Sequence, residues 1–515
     1  MQTADLILKN ANVLTIDPNQ PIAELVAIKD DKILLVGGNE SLESVKRAKT
    51  KIIDCQGGTV VPGFNDAHCH IFSLIRNLLS VDLSPASVSS ISDIKAAIRH
   101  QAQNTPPGKW LTGAGFNEFY LTEKRYPTRW DIDEVAPHHP VVLAHRSLHV
   151  CVLNSLALSL AGITRETPEP PGGLIDRDLD TGEPNGSLFE MLGYIHEKVM
   201  PPLSEEELTK GIALVNQQCL SQGITSLQEA TVVNSVNQWQ RLRQFKDTGK
   251  LKSRVSMMLG IKALYQFQEA GLTPGSGDSQ LQLGGVKIIP NESTGQLYPP
   301  QPELNHQVLN AHRAGFQLAI HAIEPSMVEA AITALEHAHK HLPHTGRRHR
   351  IEHCSECPPQ LLERLVKLPV VIVTQPPFLY YSGERYLADI PPNRLKWLYR
   401  IKSPIDSGLV VAGSSDSPVV PNNPLVGIYA AVTRRAESGQ QITPQECISA
   451  SQALAMYTIN AAYASFKEEI KGSITQDKLA DIVILDSDPT KIPPEQIKEI
   501  KVLMTITGGK VVWEA

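Results

Sequence analysis

The sequence lacks several features that would narrow its function. No apolar run approaches the ~20 residues a membrane span needs, and Met1-Gln2-Thr3-Ala4-Asp5 carries no charged leader with an apolar stretch behind it. No dense lysine/arginine cluster stands out. The longest, Arg347-Arg348-His349-Arg350, sits in a chain of net charge −6, which argues against a nucleic-acid surface. Cysteines number seven, an odd count without a regular framework, so reduced thiols in a cytoplasm are expected rather than disulfides. What remains is a chain of 515 residues, 42% hydrophobic, with ample length for a large soluble core.

One stretch carries chemistry. Val60-Val61-Pro62-Gly63-Phe64-Asn65-Asp66-Ala67-His68-Cys69-His70 is a β-branched run broken by Pro-Gly and ending in two histidines one residue apart. Side chains alternate along a strand, so His68 and His70 point the same way and Cys69 the other. Two imidazoles side by side at a strand end suit one divalent metal. A bare His-x-His is more often plain surface, and it is the rest of the chain that reverses those odds.

Leu318-Ala319-Ile320-His321 and Arg350-Ile351-Glu352-His353 are runs that also end in histidine, and Leu409-Val410-Val411-Ala412-Gly413-Ser414-Ser415-Asp416 ends in a carboxylate. Upstream, Gly284-Gly285-Val286-Lys287-Ile288-Ile289 places a lysine inside an apolar strand. Lys287, His321 and His353 recur at intervals of roughly 30 residues, the length of one strand-plus-helix unit of a (β/α)8 barrel. The longer gap from His353 to Asp416 leaves room for Val370-Val371-Ile372-Val373-Thr374-Gln375 as the strand between. Ligands at the C-terminal ends of parallel strands are the site layout that barrel favours.

These pieces resemble the amidohydrolase superfamily, in the branch of N-substituted formamide deformylase-like enzymes. The likeness rests on Pro62 to His70, Val286-Lys287-Ile288, Ile320-His321-Ala322, His349 to His353, Gly413 to Pro418, and Gly472-Ser473-Ile474 with Leu479-Ala480-Asp481-Ile482-Val483. Asn154-Ser155-Leu156-Ala157-Leu158, Pro171-Gly172-Gly173 and Asn422-Asn423-Pro424-Leu425 agree less specifically. The match runs nearly end to end and in order. It departs after Lys287: relatives carry an acidic-glycine pair where this chain has Pro290-Asn291-Glu292-Ser293-Thr294-Gly295, which adds the carboxylate of Glu292.

The expected fold is α/β, a (β/α)8 TIM barrel over residues 62–466. A small β-sandwich is expected from residues 1–61 and 467–515, because neither terminal set of short β-type runs can bury both faces alone. About 150 residues separate the first barrel strand from Gly223-Ile224-Thr225, too many for one βα unit. An inserted subdomain is therefore expected around residues 80–202, covering part of the mouth.

The resemblance implies that His68, His70 and Asp416 bind one divalent metal, zinc by preference, and His321 and His353 a second. Lys287 would bridge them if N-carboxylated, since an ammonium cannot ligate a cation. One or two ions per chain fit this set. The alternative for Lys287 is a strand lysine reaching water. Asp416 is the expected proton carrier, and it can equally cap a helix ahead of Ser417-Pro418. His149, Arg146, Glu292 and Phe378 are candidates for substrate contact, Phe378 being also an ordinary core residue. Alternation turns Glu352 away from the His353 side, towards a core salt bridge, and turns Cys354 away from the barrel interior, which disfavours a redox or zinc role for the single CxxC pair Cys354-Ser355-Glu356-Cys357. The implied activity is metal-dependent hydrolysis of a non-peptide C–N bond, amide or formamide type, in a small-molecule substrate. An ester or lactone hydrolase, a deaminase, or a non-catalytic scaffold are the alternatives. A homodimer is the assembly considered, with neither membrane nor nucleic acid as partner.

Overall fold

A computed structural model describes residues 3–515. Its largest sheet has eight strands, all paired in parallel and in chain order: β1 (Phe64–Cys69), β2 (Ile224–Glu229), β3 (Arg254–Gly260), β4 (Leu281–Ile288), β5 (Leu318–Ala322), β6 (His349–His353), β7 (Val370–Thr374) and β8 (Val410–Gly413). Each is largely buried, as expected of parallel strands covered on both faces. Helices fill the connections. Pro325–His341, between β5 and β6, buries Met327, Val328, Ala331, Ile332, Leu335 and Ala338 on one side and begins with Pro325, whose missing N–H costs a first turn nothing. The sheet closes where β1 meets the chain after β8, through Asp416 N–H to His68 O and His70 N–H to Ser417 O, both 2.8 Å. The barrel is thus nearly continuous around its circumference.

The two ends of the chain meet in one sheet. Thr59–Pro62 pairs antiparallel with Ile482–Leu485, within a six-stranded order of Lys510–Glu514, Val502–Thr507, Ile482–Leu485, Thr59–Pro62, Asn12–Leu14 and Ile22–Ala23. A four-stranded sheet, Lys32–Gly37, Leu25–Lys29, Leu6–Lys9 and Lys51–Asp54, shares its apolar core: Leu8, Val26 and Ile28 cluster with Val60, Ile482 and Ile506. Asp481 anchors the C-terminal segment to the start of β3. Its carboxylate takes Arg254 Nε at 2.7 Å and Nη2 at 3.0 Å, both side chains 4% exposed, and Gly508 N–H at 2.8 Å.

Behind β5 and β6 lies a buried imidazole pair. Leu318 N–H donates to His349 Nδ1 (3.1 Å), so the proton of His349 is on Nε2, which donates to His312 Nδ1 (2.9 Å); His312 Nε2 donates in turn to Leu342 O (2.8 Å). Both rings are therefore neutral in the fold. Burial holds His349 down to about 3. A histidine whose folded pKa lies below its unfolded value of 6.5 gives stability that is present above pH 6.5 and is lost as the pH falls towards 3. The urea midpoint should accordingly fall across that window, and less steeply in His349→Gln; equal slopes in the two proteins would refute the assignment.

Ile71–Val215 together with Pro290–Glu303 form a second compact unit. Its mixed sheet runs in the order Leu174–Arg177, Pro184–Phe189, Val150–Leu153, Val141–His145, Leu111–Phe116 and Val81–Asp82. Asn154 has a structural task there. Its side chain accepts from Val141 N and Ala157 N, capping the helix Ser155–Leu160, and donates to Ala136 O and His139 O.

Candidate metal centre

Six of the residues singled out in the sequence converge at the C-terminal ends of the barrel strands. His68 and His70 come from the end of β1, Lys287 from β4, His321 from β5, His353 from the end of β6, and Asp416 from the turn after β8. His70 Nε2 lies 2.8 Å and His68 Nε2 3.5 Å from Asp416 Oδ1. Ligand atoms of His68, His70 and Asp416 all lie within 4.8 Å of one another, a grouping that can hold a metal ion. Lys287 Nζ donates to His68 Nε2 at 3.2 Å. The ring of His353 is 5.0 Å from that of His68 and 4.4 Å from that of His321, centroid to centroid, so the second pair adjoins the first.

The backbone is bent to achieve this. His353 (φ 70°), Cys354 (φ 50°) and Asp416 (φ 59°) are left-handed non-glycine residues, each costing on the order of 1–2 kcal/mol. Gly413 lets the end of β8 lie against the buried Tyr457, where a Cβ would sit 2.6 Å from the ring. Tyr457 O accepts from Asn65 N (2.8 Å), tying β1 to the same platform. Asp66 completes the join: it accepts from Ser415 N at 2.9 Å and from Ser415 Oγ, beside Asp416. Burial pushes the Asp66 carboxyl up to about 6 despite those bonds.

Each of three histidines is held by its Nδ1. His68 Nδ1 donates to Glu352 Oε2 and His353 Nδ1 to Gln375 Oε1 (2.7 Å), with Gln375 Nε2 donating to Ser414 Oγ at 3.0 Å; His70 Nδ1 lies 2.9 Å from Thr231 Oγ1, while its Nε2 donates to Asp416 Oδ1 at 2.8 Å. For His68 and His353 these partners assign the proton to Nδ1 and leave the Nε2 lone pair facing the site, the arrangement usual for metal-bound imidazoles. The donor chemistry fits a divalent ion of the zinc type: imidazole nitrogens, a carboxylate, and orienting groups behind them. Burial, with the nearby Lys287 charge, holds His68 well below the usual histidine range, and burial holds His353 near 4, so both rings are uncharged. For Asp416 burial raises the pKa, but the His70 hydrogen bond and the neighbouring imidazoles outweigh it and hold the carboxylate well below its usual range. Lys287, 1% exposed, is brought down to about 8 by burial.

His149, Arg146 and Glu292 belong to the second unit, where His149 Nδ1 meets both oxygens of Glu190 at 2.9 and 3.1 Å, and Ser293 Oγ donates to Glu190 at 3.1 Å. Phe378 packs in an apolar cluster with Leu379, Leu398, Tyr399, Val420 and Ile442. Cys354 and Cys357 are buried free thiols. Glu352 departs from the sequence reading: it makes the salt bridge expected of it, with Arg350, but faces inward to His68. The positive φ of His353 breaks the alternation, so consecutive side chains share the interior. Thr231 and Gln228 carry no signal in the sequence, whereas Asp66 lies within the motif that ends in His68 and His70.

The eight-stranded barrel, with a His-His-Asp grouping at its strand ends that can hold a metal, is that of a metal-dependent hydrolase. Residues 51–513 match the amidohydrolase family, and the chain belongs to it, as a hydrolase acting on carbon–nitrogen bonds. It is 29% identical to the N-substituted formamide deformylase of Arthrobacter pascens, over 100% of this chain and 99% of the relative. Solved structures of uncharacterized metal-dependent hydrolases from Pyrococcus furiosus (26% identical, TM-score 0.73, 94% of this chain and 100% of that one) and Pyrococcus horikoshii (25%, 0.76, 95% and 99%) share the fold.

Proposed function

We propose that this enzyme cleaves an amide- or formamide-type C–N bond of a small molecule, with one or two zinc ions held by His68, His70, His321, His353, Asp416 and an N-carboxylated Lys287. The observation that carries the reading is the grouping of His68 and His70 about the Asp416 carboxylate, with the His353 ring beside that of His68. Likeness to a formamide deformylase over its full length supports the bond type. A divalent ion there polarises a carbonyl and brings the pKa of water towards neutrality. The chain's own part is proton handling. Asp416 takes up the proton of the attacking water at a carboxylate oxygen and passes it to the leaving nitrogen, which departs as a neutral amine.

Carboxylation of Lys287 joins its neutral amine to carbon dioxide, releasing a proton and leaving a carbamate anion. Burial favours the neutral amine that this needs. The two terminal sheets, with their shared core, are read as a small β-sandwich, and the free thiols fit a reducing compartment such as the cytoplasm. Among the described residues no helix is long and apolar enough to cross a membrane.

The purified protein should carry between one and two equivalents of divalent metal by elemental analysis. The double variant His68→Ala/His70→Ala should lose the ion shared with Asp416. Wild-type protein that holds no metal and cannot be reconstituted would remove the basis of the proposal. Turnover of N-formyl amines, N-acyl amines or cyclic ureides in preference to lactones would fix the bond class.

A further inference from the structure

Beneath His68 lies a charge pair with no solvent contact. Arg350 is 1% and Glu352 0% exposed. The guanidinium grips the carboxylate with both arms, Nε to Oε1 at 2.6 Å and Nη2 to Oε2 at 3.1 Å. Its remaining bonds go to Gln228 Oε1 on β2 (2.5 Å) and to Ala67 O on β1 (2.6 Å), the carbonyl immediately before His68. Gln228 is itself pinned, donating to Ala461 O at 2.7 Å. Arg350 therefore holds two things at once: the backbone that presents His68, and the carboxylate that receives the His68 Nδ1 proton.

A core ion pair needs none of this. Burying two charges is costly, and a pair serving stability alone is often replaced by apolar residues without loss. Here the carboxylate is aimed at an imidazole that in turn faces Asp416 and Lys287.

We propose that Glu352, held by Arg350, is a positioning residue: its carboxylate fixes the ring orientation and the Nδ1–H tautomer of His68 and raises the basicity of Nε2 towards the metal. This rests on the metal reading above. The inward-facing carboxylate makes His68 a permanently oriented donor, whereas the neutral partners of His70 and His353, Thr231 and Gln375, orient their rings without adding charge. Of the three anchored histidines, His68 is the one whose donor strength is set from behind by a full negative charge.

Glu352→Gln keeps the shape and an oxygen for the Nδ1 proton but removes the charge. Metal affinity, measured by competition with a chromophoric chelator, should weaken about 10–100-fold, the range seen when such outer partners are altered. The absorption bands of the cobalt-loaded protein should shift as well. Because Glu352→Gln also leaves Arg350 unpaired, the double variant Arg350→Met/Glu352→Leu separates the roles. It should regain thermal stability in the metal-free state while its metal affinity stays weak. Recovery of both together would mean the pair is only structural and would overturn the proposal; so would a Glu352→Gln affinity within twofold of wild type. If the double variant does not fold, the affinity of Glu352→Gln decides alone. Wild-type protein that binds no metal would instead bring down the metal reading itself, an outcome distinct from a wild-type affinity that the variants leave unchanged.

Discussion

Asp416→Asn should lower turnover by about 10²–10⁴-fold, the usual worth of a positioned general acid–base group, in a protein that still folds. Asparagine tolerates the left-handed backbone at this position and keeps one oxygen for a ligand. It cannot carry a proton between water and the leaving nitrogen. Metal content should consequently fall far less than kcat, a split that simple loss of the ion would not produce. Should Asp416→Asn keep most of its activity, the proton carrier lies elsewhere, and Glu292 and His149 become the next residues to replace.

Replacement of Lys287 should be as severe for a different reason. The side chain is buried, reaches His68 at 3.2 Å, and as an ammonium adds a positive charge where a cation is to bind. Carboxylated, it adds a bridging anion instead. Lys287→Ala is expected to reduce activity to background, and short carboxylic acids added to the assay should restore part of it by filling the space with an equivalent anion. Two metal peaks roughly 3.5–4 Å apart, joined by a planar extension on Nζ, would be the crystallographic counterpart. Full activity in Lys287→Ala would leave a single-metal site on the histidines and Asp416.

The barrel was legible because its signals are periodic and local. Strand-length runs ending in His321, His353 and Asp416 recur at the spacing of one or two βα units, and period-two alternation places His68 and His70 on one face. The pairing of the chain ends followed from edges and faces that neither end could cover alone. Glu352 was misread because alternation assumes extended backbone, and the strand gives it up at His353 and Cys354. Thr231 and Gln228 were invisible because their partners are distant in sequence: Thr231 meets His70 and Gln228 meets Arg350 only after β1, β2 and β6 have assembled. For the same reason nothing in 290–303 announced that this segment belongs with 71–215.

The bonds that close the barrel, from Asp416 N–H to His68 O and from His70 N–H to Ser417 O, are made by the backbone of site residues and of the neighbour of Asp416. This seam spans most of the chain; His70 and Asp416 are 346 residues apart in sequence. Contacts so remote repay their loop entropy only after the intervening strands are in register. The grouping of His68, His70 and Asp416 is therefore complete only when the cylinder shuts, and a nascent or truncated copy without β8 holds no more of it than the two histidines of β1.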